Sequence, residues 1–200
     1  MKPKITDISQ LDLSKTYTYD DYLTWQLNER VELIKGWIYK MSPAPRPLHQ
    51  EIETALSSEL YTFFKKNKSC KVYNSPFDVR LIKNRGQSTK EIVTVVQPDI
   101  CVVCDQNKID NRGCEGAPDL IVEVLSTSTM KKDYNEKFNL YQDKGVKEYW
   151  LVNPEMKSIQ IFTLENEEYQ EYETFEEKKE IVTSKLFPEF HFPMAEVFEY

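Results

Sequence analysis

Apolar residues recur along this chain with two different periods, which distinguish predicted helices from predicted strands. A period of three to four residues over residues 49–66 predicts an amphipathic helix. The same period over about residues 130–144 predicts a second helix, which Gly145 ends. A shorter helix is predicted to begin near Thr18, whose hydroxyl suits the position before a first helical turn. The apolar positions are Ile52, Leu56, Leu60 and Phe63 in the first long helix, and Met130, Tyr134, Phe138 and Tyr141 in the second.

Short apolar or alternating runs between the helices predict β-strands. Gly36 supplies the turn of a predicted hairpin over residues 32–39. A strand, a helix and another strand follow one another between residues 119 and 152, a succession that favours an α/β sheet. A second hairpin is predicted toward the C-terminus, over residues 158–175. The predicted strands are residues 32–34, 37–39, 71–74, 77–82, 92–96, 99–104, 119–125, 146–152, 158–164 and 169–175.

The predicted fold class is therefore α/β, with a mixed central sheet that is flanked by helices and extended by a C-terminal antiparallel hairpin. No internal repeat and no linker rich in Gly, Ser or Pro divides the chain. We therefore expect a single domain over residues 17–200, preceded by an N-terminal tail of residues 1–16. Three prolines within residues 42–47 predict a stiff loop. The aromatic C-terminal segment, FPEFHFPMAEVFEY, is expected to pack back on the domain.

Composition and charge narrow the class of protein. The 200 residues are 40% hydrophobic and 30% charged, with 5 Gly and 10 Pro, which excludes disordered, collagen-like and low-complexity classes. Apolar runs are far shorter than a membrane-spanning helix needs, and the N-terminus lacks the apolar core of a secretory signal. We therefore expect a cytoplasmic protein without a membrane partner.

The negative charge of the chain is concentrated in its last quarter. The net charge is -7, and residues 151–200 hold 12 acidic and 4 basic residues. The remaining 21 acidic and 22 basic residues leave residues 1–150 balanced. Charge therefore neither supports nor excludes a nucleic-acid partner.

The four cysteines, at positions 70, 101, 104 and 114, are expected to be free thiols, because the cytosol keeps thiols reduced. Cys101 and Cys104 have the spacing of a metal-binding or redox pair, but they lie in a predicted strand. Residues three apart on a strand point to opposite faces, so this pair is poorly arranged to hold one metal ion. Buried or half-buried thiols are expected instead of a zinc or redox site.

Several common catalytic motifs are missing. The chain contains no GxGxxG, GxxxxGK[ST], GxSxG or HExxH sequence, which argues against dinucleotide-binding, P-loop and serine-hydrolase functions. The two histidines are His49 and His191, so a Ser-His-Asp triad would have to use one of them without a supporting motif.

Acidic residues inside apolar strands are the strongest chemical signal. Glu123 shares one strand face with Ile121 and Leu125. An ionised carboxylate in such a place costs several kcal/mol unless it is paired or binds a metal ion. Asp99 begins another apolar strand, and two carboxylates at the ends of neighbouring strands suit Mg²⁺ or Mn²⁺. The structural alternative is that Asp99 is a turn residue at a strand start and that Glu123 pairs with a lysine.

A lysine lies at the edge of the apolar stripe of the helix after Glu123. At 100° per residue, Lys137 lies about 55° from the centre of that stripe. One interpretation is a surface lysine that extends its stem along the apolar face, as Lys131 would. The other is an ammonium group that reaches the strand ends, where it positions a water or offsets charge on a phosphate.

These residues resemble the signature of the PD-(D/E)XK nuclease superfamily. Pro98-Asp99 precedes Glu123 by 24 residues, and in that superfamily an Asp and a later Glu on adjacent strands hold Mg²⁺ beside a lysine. Leu125 stands where the strict pattern has the lysine. Some branches carry the lysine on the following helix, and Lys137 would then fill its role.

Longer segments resemble the Uma-two family of restriction-endonuclease-like proteins, over about residues 17–193. The segments are RVELIKGWIYKMSPAP, LHQEI, VVQPDICVV, GAPDLIVEVLSTST, KDYNEKFNLYQDKGVKEYWLVNP and the closing LFPEFHF. The resemblance implies a restriction-endonuclease-like arrangement of the α/β fold. The catalytic residues that it implies are Glu32, Asp99, Glu123 and Lys137, and the three carboxylates among them would hold the metal ion.

His49 also matches a histidine of the Uma-two family. Its helical spacing places it on the same stripe as Ile52 and Leu56, and this position favours a satisfied core histidine.

The resemblance implies a Mg²⁺- or Mn²⁺-dependent endodeoxyribonuclease, a hydrolase that cleaves phosphodiester bonds in DNA. DNA is the expected partner. Cleavage of both strands at one place would favour a homodimer, because one active site cuts one strand. Two other interpretations stay open: a catalytically inactive nuclease-fold protein that binds nucleic acid or a partner protein, and a metal-dependent hydrolase of a small phosphorylated substrate.

Overall fold

The structure, a computed structural model, describes residues 4–41, 46–82 and 86–198. Within these residues, helices pack on two six-stranded sheets, and a third sheet has two strands. The helices are α1 (Tyr19–Tyr22), α2 (Pro47–Asn67), α3 (Met130–Lys132), α4 (Phe138–Lys144) and α5 (Ala195–Phe198), with a π-helical turn at Asp133–Lys137 and 3-10 turns at Ile8–Gln10 and Gln106–Lys108. The strands are β1 (Val31–Ile34), β2 (Trp37–Lys40), β3 (Lys71–Asn74), β4 (Val79–Arg80), β5 (Val95–Val96), β6 (Ile100–Val103), β7 (Ile109–Asp110), β8 (Gly113–Glu115), β9 (Leu120–Val124), β10 (Glu148–Asn153), β11 (Ser158–Glu165), β12 (Glu168–Phe175), β13 (Ile181–Thr183) and β14 (His191–Pro193).

The central sheet has the strand order β12-β11-β10-β9-β6-β3. Strands β9 and β10 are parallel and are connected by the helical segment α3–α4, whereas the other neighbouring strands are antiparallel. This order confirms the predicted strand–helix–strand unit and the mixed sheet flanked by helices. The predicted C-terminal hairpin is β11–β12, which extends the sheet at its edge.

Strand β9 separates two layers of the core, because its side chains alternate between the faces of the sheet. Leu120 and Val122 pack with α2 and with aromatic residues of the C-terminal segment. Ile121 and Leu125 pack on the opposite face, against α4 and the second sheet. Glu123 falls on this second face, as the alternation predicts.

The second sheet has the order β2-β1-β5-β4-β8-β7. The hairpin predicted around Gly36 is its edge, β1–β2. The predicted strands 77–82 and 92–96 are much shorter in the structure, where they form β4 and β5. Strands β7 and β8 were not predicted, since the polar segment that contains them shows no apolar alternation. They pair with each other, and β8 also pairs with β4, to which it runs parallel.

The C-terminal aromatic segment packs against the central sheet, as predicted. Phe190 and Phe192 lie close to Trp150 of β10, and Met194 and Val197 are buried in the same cluster. Trp150 therefore packs on the face of β10 opposite to that of Tyr149, which contacts α4.

The start of α2 and the N-terminal segment complete the description of the fold. Pro47 is the first residue of α2, where its missing N–H is not needed. The predicted stiff loop over residues 42–47 was wrong at Pro47, which belongs to α2, and its residues 42–45 lie outside the described residues. Ile8 and Leu11, in the predicted N-terminal tail, are buried against Val31.

The prediction of four free thiols was wrong for one pair, because Cys70 and Cys104 form a disulfide. Cys70 precedes β3 and Cys104 follows β6, and these strands are antiparallel with Lys71 opposite Val103. The pairing of the strands therefore places the two cysteines side by side, which their separation of 34 residues does not reveal. Cys101 and Cys114 are free and buried, as expected.

In the part of the chain that the structure describes, no helix combines the length and apolar character needed to cross a bilayer.

Candidate active site

A cavity of about 970 Å³ opens where the ends of β6 and β9 meet α2, β1 and the π-helical turn. All four residues that the resemblance implied for catalysis line this cavity. Its charged and metal-ligating walls include Glu32, His49, Glu53, Asp99, Glu123, Lys132 and Lys137.

The antiparallel pairing of β6 and β9 brings Asp99 and Glu123 side by side, because the start of β6 lies next to the end of β9. In this pairing Ile100 lies opposite Val122. Oδ2 of Asp99 accepts a hydrogen bond of 2.7 Å from the backbone N–H of Val124. The turn before β6 and the last residues of β9 are therefore held together by the carboxylate itself.

Glu123 is buried and hydrogen-bonded through one of its two oxygens. Oε1 accepts 2.7 Å hydrogen bonds from Nζ of Lys137 and from the hydroxyl of Tyr141. Oε2 has no donor among the described residues. Burial raises the pKa of Glu123 well above that of a solvated carboxyl, and the charge of Lys137 opposes this rise. Glu123 thus has one oxygen held by donors and one available to a ligand.

Lys137 is buried among carboxylates. Its side chain is 4% exposed, and Nζ lies 2.7 Å from Oε1 of Glu123, 3.2 Å from Oε1 of Glu32 and 3.8 Å from Oδ1 of Asp133. Burial alone would lower the pKa of Lys137, but these three carboxylates hold it well above its usual value. Lys137 is therefore a buried cation, and the interpretation as a surface lysine is wrong.

The π-helical turn coincides with the one departure from the predicted apolar stripe, at Tyr134. A π turn inserts an extra residue, so the positions before and after it no longer share one 3.6-residue register. Lys137 faces the core, whereas Tyr134, predicted on the apolar stripe, is 39% exposed. The other stripe members, Met130, Phe138 and Tyr141, do contact the core.

Glu32 is fully buried on β1, and both of its oxygens are already bound. Oε1 accepts a 2.9 Å hydrogen bond from the backbone N–H of Gln97 and contacts Lys137, and Oε2 pairs with Lys132. Burial favours a raised pKa for Glu32, but Lys137 and Lys132 outweigh it and the pKa is lowered. Glu32 therefore holds the two lysines at the inner wall of the cavity.

His49 lines the cavity, so the expectation of a satisfied core histidine was wrong. It lies in the first turn of α2, before Ile52 and Leu56, which cover the sheet. Its Nε2 is 3.3 Å from Oδ2 of Asp99, and Nδ1 makes no hydrogen bond with the described residues. Burial lowers the pKa of His49, but contact with Asp99 outweighs burial and the net shift is upward.

Several residues of the cavity were not predicted from the sequence. Glu53 follows His49 by four residues and therefore shares its helix face, a spacing that marks the pair as neighbours. The same spacing joins Asp133 to Lys137. No local spacing in the sequence marks Lys132 as a residue of the cavity, because its partner Glu32 is 100 residues away.

The donor atoms in the cavity suit a divalent metal ion. Among the described residues, three side chains bring one ligand atom each to within 4.8 Å of one another: His49, Glu53 and Asp99. The set of Glu32, Asp99 and Glu123 does not form such a group in that part of the chain. Carboxylate oxygens suit Mg²⁺ or Mn²⁺, and an imidazole nitrogen adds an affinity for transition metals.

The sequence matches the Uma2 family, described as "Putative restriction endonuclease", over residues 19–195. The chain belongs to this family. The Uma2 match covers β6 and β9, α2 and the helical segment that carries Lys137. This confirms the resemblance to the Uma-two family.

Two further comparisons place this Uma2 protein among its relatives. It is 27% identical over 146 residues to "Uncharacterized protein slr1290" from Synechocystis sp., and the match covers 72% of each chain. Its fold is similar to the crystal structure of "a putative nuclease belonging to DUF820" from Anabaena variabilis, with a TM-score of 0.67, 22% identity, and coverage of 91% of this chain and 97% of that one. At 22% identity, the similarity to the Anabaena protein shows a shared fold.

Proposed function

We propose that this Uma2 protein is a Mg²⁺- or Mn²⁺-dependent endonuclease that hydrolyses phosphodiester bonds in DNA. The observation that carries the proposal is the meeting of Asp99, Glu123 and the buried cation Lys137 at one cavity wall. These three residue types in this order are the signature of the PD-(D/E)XK nucleases. Membership of the Uma2 family supports the nuclease function.

Asp99 and Glu123 are the proposed metal-binding carboxylates of the cleavage site. Each has one oxygen held by protein donors, Oδ2 of Asp99 by Val124 and Oε1 of Glu123 by Lys137. Such contacts fix the orientation of a ligand, and the second oxygen of each carboxylate has no donor among the described residues. A bound divalent ion would polarise the scissile phosphate and lower the pKa of a water beside it.

Lys137 is the proposed cation that positions the attacking water or offsets charge on the phosphate. Its protonated state is secured by Glu123, Glu32 and Asp133, so it donates hydrogen bonds across the whole neutral pH range. Glu32 enters the proposal as the residue that holds Lys137 and Lys132, because both of its oxygens already accept from donors.

The test is the nicking of supercoiled plasmid in Mg²⁺, Mn²⁺ or EDTA by the wild type, Glu123→Gln and Glu136→Gln. Glu136 is an exposed neighbour of Lys137 and serves as the matched control. Removing an outer partner of a metal ligand costs 10- to 100-fold, so loss of a ligand should lower the rate by about 100-fold or more. We expect metal-dependent nicking that Glu136→Gln retains and Glu123→Gln loses.

Circular dichroism and thermal melting check that each variant is folded. Equal cleavage by Glu123→Gln and the wild type would contradict the assignment of the site. Parallel reactions with single-stranded and duplex RNA test the choice of DNA, and faster RNA cleavage would overturn that part. A folded, metal-binding wild type that cuts no nucleic acid would replace the proposal with the catalytically inactive alternative.

A further inference from the structure

We propose that His49, Glu53 and Asp99 together bind a divalent transition metal ion, so the metal site of this protein has a nitrogen ligand as well as oxygen ligands. The inference deepens the proposed function, because it shares Asp99 with the cleavage site. It concerns binding, however, and can be measured without nucleic acid.

The fold brings these three side chains together from two elements. His49 and Glu53 are four residues apart on α2, so they project from the same face of the helix. Asp99 lies directly before β6, and its Oδ2 is 3.3 Å from Nε2 of His49. Nδ1 of His49 is 4.0 Å from Oε2 of Glu53.

The three side chains are close enough to share one ion, and only His49 and Asp99 lie within hydrogen-bond distance of each other. Metal–ligand bonds of about 2.0–2.2 Å place neighbouring ligand atoms about 3–4 Å apart. The three side chains each bring one ligand atom within 4.8 Å of the others, and His49 contributes one of its two ring nitrogens. The 4.0 Å distance from Nδ1 of His49 to Glu53 is too long for a hydrogen bond, and Nδ1 has no other partner among the described residues. A buried ring nitrogen without a partner costs free energy that a bound cation would recover.

Both carboxylates of the group are held in place by hydrogen bonds, Glu53 through the oxygen that faces away from His49 and Asp99 through Oδ2, which also faces His49. Oε1 of Glu53 accepts a 3.1 Å hydrogen bond from Nδ2 of Asn74, whose own Oδ1 accepts from Ser57 at 2.7 Å. Asp99 is held by the backbone N–H of Val124. Metal ligands are commonly oriented by such outer hydrogen bonds.

The charges of the group also favour a cation. The carboxylates of Glu53 and Asp99 both approach the ring of His49, so two like charges face the same small space and repel each other. A divalent ion between the two carboxylates would relieve that repulsion. Since an imidazole ligand favours Mn²⁺, Co²⁺ and Ni²⁺ over Mg²⁺, we expect the site to bind these transition metals more tightly than Mg²⁺.

The decisive experiment is pulsed EPR of Mn²⁺ bound to the full-length protein, which detects the ¹⁴N coupling of a coordinating imidazole. We compare the wild type with His49→Ala and with His191→Ala, which removes the chain's other histidine, an exposed residue. The expected result is a nitrogen coupling that is present in the wild type and His191→Ala and absent in His49→Ala. His49→Gln, which keeps a polar side chain of similar length, replaces His49→Ala if that variant is unfolded.

Calorimetric titration with Mn²⁺ gives a second readout. We expect His49→Gln and Glu53→Gln to weaken Mn²⁺ binding by about tenfold or more. Mn²⁺ binding without nitrogen coupling, or coupling that persists in His49→Ala, would overturn the inference. Nitrogen coupling from His49 in a protein that cuts no nucleic acid would support the metal site and overturn the nuclease function.

Discussion

Lys137 and its three carboxylate neighbours, Glu32, Glu123 and Asp133, form a buried ionic network. Transfer of each charge out of water costs several kcal/mol, and the network is tolerated because every charge lies beside an opposite one. Lys132 adds a second cation on Glu32. The network therefore depends on each of its members, and loss of one leaves a buried charge without its counterion.

We expect Lys137→Met to lower the free energy of unfolding by about 3–5 kcal/mol, because it leaves Glu123 buried without its cation. Lys131→Met, at an exposed position on the same helical segment, should change it by no more than about 0.5 kcal/mol. Urea unfolding of both variants measures the difference.

A double variant provides the control for the pairing itself. Lys137→Met combined with Glu123→Gln should cost less than the sum of the two single changes, since the unpaired charge is then gone. Strict additivity would show that the 2.7 Å contact between Lys137 and Glu123 does not stabilise the fold.

At the scale of elements, two irregular segments set the shape of the site and of the second sheet. The π-helical turn at Asp133–Lys137 rotates Lys137 inward and Tyr134 outward. In the second sheet, the tight approach of β8 to the chain before β4 requires a glycine. Gly113 has φ of 115°, and a Cβ there would lie 2.1 Å from the carbonyl oxygen of Asp78.

We expect Gly113→Ala to destabilise the protein by about 3 kcal/mol or more, from backbone strain and from the clash with Asp78. Gly145→Ala is the matched control, because Gly145 also has a positive φ but a Cβ there would meet no atom within 4 Å. Its cost should be about 1 kcal/mol, from backbone strain alone. Urea unfolding of the two variants separates the cost of the clash from that of backbone strain. Equal losses of stability would show that the chain at Asp78 moves aside at little cost.

At the scale of the whole molecule, the cavity lies where parts distant in sequence meet. Its walls come from the second sheet through Glu32, from α2 through His49, and from the edge of the central sheet through Asp99 and Glu123. A metal ion bound there would link these parts, and it would bind the folded chain in preference to the unfolded one. Metal binding should therefore raise the free energy of unfolding of the whole protein.

We expect Mn²⁺ at 100 times its dissociation constant to raise the free energy of unfolding of the wild type by about 2.7 kcal/mol. Asp99→Asn should show little of this increase, because Asp99 belongs to both proposed ligand sets. Urea unfolding with Mn²⁺ or with EDTA measures the effect. An equal increase in Asp99→Asn would place the bound ion elsewhere in the protein.

The sequence alone determined the features that depend on residues close to one another along the chain. Helical spacing predicted α2 within two residues at its start and one at its end, and apolar runs predicted β6, β9 and β10. Glu123 stood out because a carboxylate inside an apolar strand needs a partner wherever that strand packs. The resemblance to the Uma-two family came from the same local segments.

The tertiary structure decided which of these residues meet, because contacts between strands and layers are not encoded in any local period. Pairing of β3 with β6 created the Cys70–Cys104 disulfide, and pairing of β4 with β8 created the unpredicted part of the second sheet. Packing of the π-helical turn against β1 and β9 buried Lys137 among three carboxylates. His49 was expected in the core, but the first turn of α2 lies beside the end of β9 and the start of β6, so His49 is a neighbour of Asp99 in the cavity. The burial of a side chain is set by what packs against it, which a helical period does not show.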